Sequence, residues 1–187
     1  MRQSPAEDAE LATQALHGEV VTLFEERGEF GLVQMQRDRY VGWAQMETLS
    51  APVVKATHKI AALRTYAYSR PHLKSAPHFI VTMGAGLSIE ARENGFVKSP
   101  RGHWFPEQHI TAIETLEDDP AAVAERYLRA PYLWGGCESL GLDCTGLTRA
   151  AYLARAVTLP RHSAQQSARG GDAQEVCRDP ARLALRA

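Results

Sequence analysis

Pro131-Tyr132-Leu133-Trp134-Gly135-Gly136 and, after a short loop, Gly141-Leu142-Asp143-Cys144-Thr145-Gly146-Leu147 decide how this chain is read. An aromatic–glycine turn leads to a cysteine flanked by Asp on one side and Thr-Gly on the other, and a small/apolar stretch begins at Leu147. That order places a thiol at the first turn of a helix. There the unsatisfied backbone N–H groups and the helix dipole favour thiolate over thiol. Leu147, Ala151 and Ala154 fall on the same helical face as the thiol and anchor it by packing.

A nucleophilic cysteine needs a base within hydrogen-bond reach, a group orienting that base, and donors for the oxyanion. The backbone N–H of Cys144 is a natural oxyanion donor. The bland alternative is a buried structural cysteine, since free Cys is among the most buried residue types. The combination of the Trp-Gly-Gly turn with Asp-Cys-Thr-Gly-Leu favours the nucleophile. Cys137 sits in a loop and Cys177 in an Arg-rich tail, and both read as incidental. A zinc site built from Cys137, Cys144 and His162 would need a fourth ligand and lacks CxxC spacing, so no metal is expected.

The segment resembles the opening half of an NlpC/P60 domain, the papain-like cysteine endopeptidases of the cell wall. Leu159-Pro160-Arg161-His162-Ser163-Ala164-Gln165-Gln166 fits the same pattern, with His162 where Asp is more usual. The resemblance implies Cys144 as nucleophile and Tyr132 as a side-chain donor near the oxyanion. It implies that Asp143 helps hold the free α-amino group of a peptidoglycan stem peptide, and that Arg161 and Ser163 line the same pocket. The implied reaction is hydrolysis of the γ-D-glutamyl–diamino acid bond through a Cys144 thioester, with no cofactor. The implied partners are peptidoglycan-derived peptides.

Upstream, the grammar is β. Glu19 to Phe24, Phe30 to Gln36 and Tyr40 to Ala44 read as strands broken by Gly28 and by Arg37-Asp38-Arg39, after a polar, helix-tolerant lead over residues 1–16. Phe79 to Thr82, Leu87 to Ala91, Phe96 to Lys98 and His103 to Phe105 repeat it, with Asn94-Gly95 as a hairpin signal. Gly18…Gly28-Glu29-Phe30…Trp43 aligns loosely with Gly86…Gly95-Phe96…Trp104. Such tandem units resemble bacterial SH3-like (SH3b) modules. Trp43 and Trp104 read as packing residues. Asp119-Pro120 reads as a helix start, with Val123, Tyr127 and Leu128 as its buried stripe before Pro131.

The expected fold class is therefore α+β, with two small SH3-like β-barrel modules before the helical N-terminal half of a papain-like domain. The expected boundaries are 1–49, 50–116 and 117–187. A net charge of −1 from 21 basic and 22 acidic residues gives no reason to expect a nucleic-acid partner. No apolar run approaches a membrane span. The first residues lack an apolar signal core, so a cytoplasmic location is expected. The odd count of three cysteines argues against a disulfide framework.

The pattern departs from the family after Cys144. Residues 145–187 hold one histidine, His162, which is not at the family's base position. The His-Val-Gly strand that carries the base is absent, and the Ala- and Arg-rich tail after Gly171 resembles a shifted reading frame. The alternative function is thus a catalytically inactive remnant that binds wall fragments. Without the family's sheet, the apolar face of the Cys144 helix is expected to lack a packing partner.

Overall fold

Strand β1 (Val21–Arg27) turns at Gly28-Glu29 into β2 (Phe30–Met35), which pairs with β3 (Val41–Gln45). Gly31, Val33 and Met35 alternate onto the buried face of β2. These three strands form an antiparallel meander in a computed structural model that describes residues 1–174. The turn between β2 and β3 is held by Asp38, whose Oδ1 accepts the Tyr40 N–H at 3.0 Å, and Arg39 takes φ +64°. Arg27 lies over the Trp43 ring, 5.0 Å from its centroid.

The second β unit holds β4 (His58–Ile60), β5 (Arg64–Tyr68), β6 (Pro77–Thr82), β7 (Gly86–Leu87), β8 (Ala91–Glu93), β9 (Phe96–Lys98), β10 (Trp104–Pro106) and β11 (Ile110–Ala112). They form one sheet in the order β6-β5-β10-β9-β8 and another in the order β11-β4-β7. Ile60, Ala67, Val81, Leu87, Val97 and Phe105 make the core between them. Asn94 and Gly95 both take positive φ (+50° and +73°) between the paired strands β8 and β9. This is the turn that the Asn-Gly signal specifies.

Several expectations are corrected here. Residues 1–16 form no helix. They form a strap that folds back on itself through bends and turns, in which Arg2 bridges to Leu11 and to Trp43, and Thr13 is completely buried. The single strand expected over Leu87 to Ala91 divides between two sheets. Strands β4, β5 and β11 escaped the sequence pattern. In β5 the inward residues are the small Thr65 and Ala67 while Tyr66 points outward, so the hydrophobic alternation reads backwards.

The C-terminal unit begins with α1 (Pro120–Glu125), capped by Asp119, whose side chain accepts from the Ala121 N–H at 2.8 Å. Val123 and Tyr127 are buried as expected, but Leu128 is exposed. The helix stops at Glu125, turns follow, and Arg129 enters the left-handed region, which rotates Leu128 off the buried stripe. A short hairpin, β12 (Cys137–Glu138) and β13 (Gly141–Leu142), leads into α2 (Cys144–Leu153), and α3 (Ser163–Gln174) closes the described chain.

Helix α2 does find packing partners. Val123, Tyr127, Leu142 and Ala151 form a core, with Leu147 and Ala154 from the same helix and Leu63 and Met83 from the second β unit packed against it. Removing the completely buried Phe105 ring from the larger core, as Phe105→Ala, is expected to cost about 3–5 kcal/mol of stability. Urea-unfolding midpoints of the variant and the parent check this.

Candidate active site

Cys144 is the first residue of α2 and is exposed. Asp143 is the N-cap, with extended backbone (φ −93°, ψ 178°), and its Oδ1 accepts the Gly146 N–H at 2.7 Å. The cap satisfies one orphan donor of the first turn. The same oxygen accepts the Thr145 hydroxyl at 2.8 Å, and Oδ2 accepts the Gly135 N–H at 3.0 Å. Arg161 closes the fork, with Nη1 donating to Oδ1 at 3.1 Å and Nη2 donating to Oδ2. Asp143 is buried, and both its oxygens are engaged within the chain.

Glycine is required at two points under this turn. Gly135 takes φ +78°, and a Cβ there would lie 2.2 Å from the Leu11 carbonyl oxygen of the strap. Gly146 sits against the Gly136 carbonyl, 2.2 Å from where its Cβ would be. The Trp-Gly-Gly turn, the strap and the first turn of α2 are therefore in backbone contact.

Of the residues singled out in the sequence, the structure brings Asp143 and Arg161 together beside Cys144. Tyr132 is exposed. Its backbone bridges to Leu142, which sets it alongside the strand that leads into Asp143 and Cys144. Ser163 opens α3, exposed and outside the hydrogen bonds around Asp143. His162 is exposed and its ring lies tilted against Tyr40 of the first β unit, with centroids 5.5 Å apart. Among the described residues no side chain hydrogen-bonds the Cys144 sulfur.

Sequence reading missed most of the polar seam behind the site. Thr13 of the strap accepts from Arg161 Nε at 3.1 Å and lies 3.5 Å from Cys137 Sγ. Cys137, read from sequence as an incidental loop residue, is buried, with Arg149 Nη1 3.8 Å from its sulfur. Arg149 Nη2 donates to Asp38 Oδ2 of the β2–β3 turn. Gln14 accepts the Cys137 N–H at 2.8 Å and donates to Glu138 at 3.3 Å. Gln166 of α3 donates to the Thr145 carbonyl at 3.3 Å. Trp134, exposed, donates to Glu10 of the strap at 2.7 Å. One signal was present: Arg149 interrupts the small/apolar face of α2, and a charge in such a place needs a partner.

Burial raises the Asp143 pKa, but the hydrogen bond from Arg161, with those of Gly146 and Thr145, outweighs it and holds the carboxyl below its ordinary range. Burial works against the charged form of Arg161, and the bond to Asp143 reverses this and raises its pKa. Burial, and then the charge of Arg37, lower the pKa of Arg149. A largely apolar cleft of about 440 Å³ borders this seam, with Leu153, Val157, Ile60 and Met83 in its walls beside Cys137 and Arg149; Cys144 is not among its lining residues.

Comparison with known proteins fits this geometry. Residues 1–49 match the bacterial dipeptidyl-peptidase SH3 domain and residues 129–182 match the NlpC/P60 family. A γ-D-glutamyl-L-lysine dipeptidyl-peptidase of Bacillus cereus is 27% identical over 86% of this chain and 55% of its own length. The enzyme of the same name from Bacillus subtilis is 27% identical over 87% and 60%. Dipeptidyl-peptidase 6 of Lysinibacillus sphaericus is 24% identical over 82% and 65%. The chain thus spans between about half and two thirds of the length of these curated relatives. The crystal structure of an NlpC/P60 family protein from Bacillus cereus superposes with a TM-score of 0.71 at 23% identity, covering 84% of this chain and 59% of that one. This likeness shows the shared fold.

Two outcomes follow from the cap. Gly→Ala in an open helix is worth about 1 kcal/mol of stabilisation. Gly146→Ala has the opposite sign here, a loss of roughly 1–3 kcal/mol, because its Cβ meets the Gly136 carbonyl; thermal unfolding checks the sign. The lowered Asp143 pKa means that its contribution is complete above the unfolded-state value and is lost as pH falls through the lower folded-state value. Asp143→Asn should therefore be less stable than the parent at neutral pH, and the gap should narrow below about pH 4. Denaturant midpoints across that range measure the gap.

Proposed function

Starting from a chain that carries a bacterial dipeptidyl-peptidase SH3 domain and an NlpC/P60-family segment, we propose a cysteine peptidase that hydrolyses peptidoglycan stem peptides at the γ-D-glutamyl–diamino acid bond. The observation that carries this reading is an exposed thiol at the first residue of a helix whose cap is held by a buried arginine. The names of the Bacillus relatives, γ-D-glutamyl-L-lysine dipeptidyl-peptidase, support L-lysine as the diamino acid.

In this reading the Cys144 sulfur, as thiolate, attacks the γ-carbonyl and forms a C–S bond. The first-turn N–H of Cys144, which has no intrahelical acceptor, donates to the oxyanion, and the Tyr132 hydroxyl assists it. The intermediate collapses by breaking the C–N bond. The lysine amine leaves with a proton taken from solvent water, and a second water then hydrolyses the thioester, releasing the γ-carboxylate product and returning the Cys144 sulfur. Asp143 serves this site by fixing the cap and Arg161. Ser163, exposed at the start of α3, and the rim formed by Trp134, Glu10, Tyr40 and His162 then face the substrate. The second β unit acts as a further SH3-type module.

A second reading has its own support. His162 lies against Tyr40 of the first β unit and Trp134 donates to Glu10 of the strap, which gives an aromatic surface suited to holding a peptide. The chain would then bind wall-derived peptides without cutting them. Incubation with L-Ala-γ-D-Glu-L-Lys separates the two. The peptidase reading expects release of free lysine, and Cys144→Ala is expected to reduce it by roughly 10³-fold or more. Unchanged turnover in that variant overturns the nucleophile. Binding without release establishes the second reading.

A further inference from the structure

Two buried arginines stand behind the cap of α2, and each is tied to a different part of the N-terminal β unit and its strap. Arg149 lies one and a half turns along α2 from Cys144 and is buried. Its acidic partner, Asp38, is at the β2–β3 turn and is equally buried, with side-chain exposures of 7% and 2%. Arg161 holds the cap carboxylate and donates its Nε–H to Thr13, which is completely buried in the strap. Cys137 joins the two, 3.5 Å from the Thr13 hydroxyl and 3.8 Å from Arg149. The chain of contacts Arg149–Cys137–Thr13–Arg161–Asp143 therefore leaves α2 at one turn and returns to it at its cap.

This closed circuit constrains more than attachment. A single contact would hold the helix to its neighbour while leaving it free to rotate about its axis or slide along it. Two contacts on one helix, at its cap and one and a half turns on, fix both motions. The guanidinium groups are planar and reach their partners in a fixed fork, so each contact also sets a direction. Every buried polar side-chain atom among the described residues has a partner, so each polar group of the seam is held by at least one hydrogen bond. Asp38 uses its other oxygen to hold its own turn through the Tyr40 N–H, so the carboxylate is itself held in place.

We propose that Asp38 and Thr13 are positioning residues for Cys144, acting through Arg149 and through Arg161 respectively to fix the angle at which the thiol leaves the first turn of α2. This rests on the peptidase reading of Cys144, and it assigns the N-terminal unit a part in the geometry of the reaction as well as in holding substrate. Neither residue touches the reacting atoms.

The test is the rate at which iodoacetamide alkylates Cys144 in the full chain at neutral pH, read by mass spectrometry after cleavage at glutamate residues such as Glu138, which separates the Cys144-bearing peptide from Cys137 and Cys177. Asp38→Asn and Thr13→Val each keep the shape of the side chain and remove the contact. Each is expected to change the Cys144 rate by about tenfold, which is about 1.4 kcal/mol. Thr13→Ser, which keeps the hydroxyl, is expected to retain the parent rate. That rescue separates positioning from a loss of packing, and it does not depend on whether Asp38→Asn folds. If Thr13→Val melts cooperatively at a lower temperature but alkylates within twofold of the parent, the seam is only structural and the proposal fails. Because variant is compared with parent, this outcome leaves the peptidase reading intact. An ordinary free-thiol rate in the parent counts against the peptidase reading alone.

Discussion

The buried ion pair between Asp143 and Arg161 is the constraint on which the rest of this site depends. A carboxylate at the N-cap of α2 ends the helix cleanly and leaves the next residue, Cys144, at the solvent boundary. An acid buried to that degree is tolerated only with its charge balanced and its lone pairs filled. Arg161, Thr145, Gly146 and Gly135 do both. Removing one partner from such a pair leaves an uncompensated charge and costs roughly 3–5 kcal/mol, a large part of the 5–15 kcal/mol that holds an ordinary domain together. The position of the thiol and the integrity of this corner of the molecule are thus one physical problem.

The N-terminal unit is bound into the same solution. Met1 to Gln14 thread between the β meander and the Trp-Gly-Gly turn. Along the way they offer Glu10 to Trp134, the Leu11 carbonyl to the Gly135 backbone, Thr13 to Arg161 and Gln14 to Cys137. Most of these contacts are polar and several are buried, so they supply direction more than bulk hydrophobic adhesion. The second β unit contributes differently, through Leu63 and Met83 in the small core beneath α2 and through Thr82, which donates to Glu138 at 3.1 Å.

What could be read from the sequence was whatever rests on local rules. Cys144 in the first turn of a helix, Asp119-Pro120 as a helix start, and Asn94-Gly95 as a hairpin turn all depend on a few neighbouring residues, and all appear in the structure, whereas Asp143, expected to hold substrate, is the cap of that helix. In the first unit β2 was legible because Phe30, Val33 and Met35 are large and buried. Strand β5 was not, since Thr65 and Ala67 face the core while tyrosines face outward. Leu128 was misplaced because helical spacing was carried past the point where the backbone turns at Arg129. The seam of Thr13, Asp38, Cys137 and Arg149 was largely illegible for another reason: partners in contact are up to 124 positions apart along the chain, and no periodicity links them.

The approach of Gly135 to the Leu11 carbonyl has a consequence for how such proteins diverge and for how they can be recombined. A chimera that joins the front end of one homologue to the nucleophile segment of another brings two backbones together where not even a methyl group fits. A crossover placed between the modules, where the chain looks most divisible, separates halves that were shaped against each other. Successful grafts should be those that transfer residues 10–14 and 134–137 as a matched set, whatever else is exchanged between them.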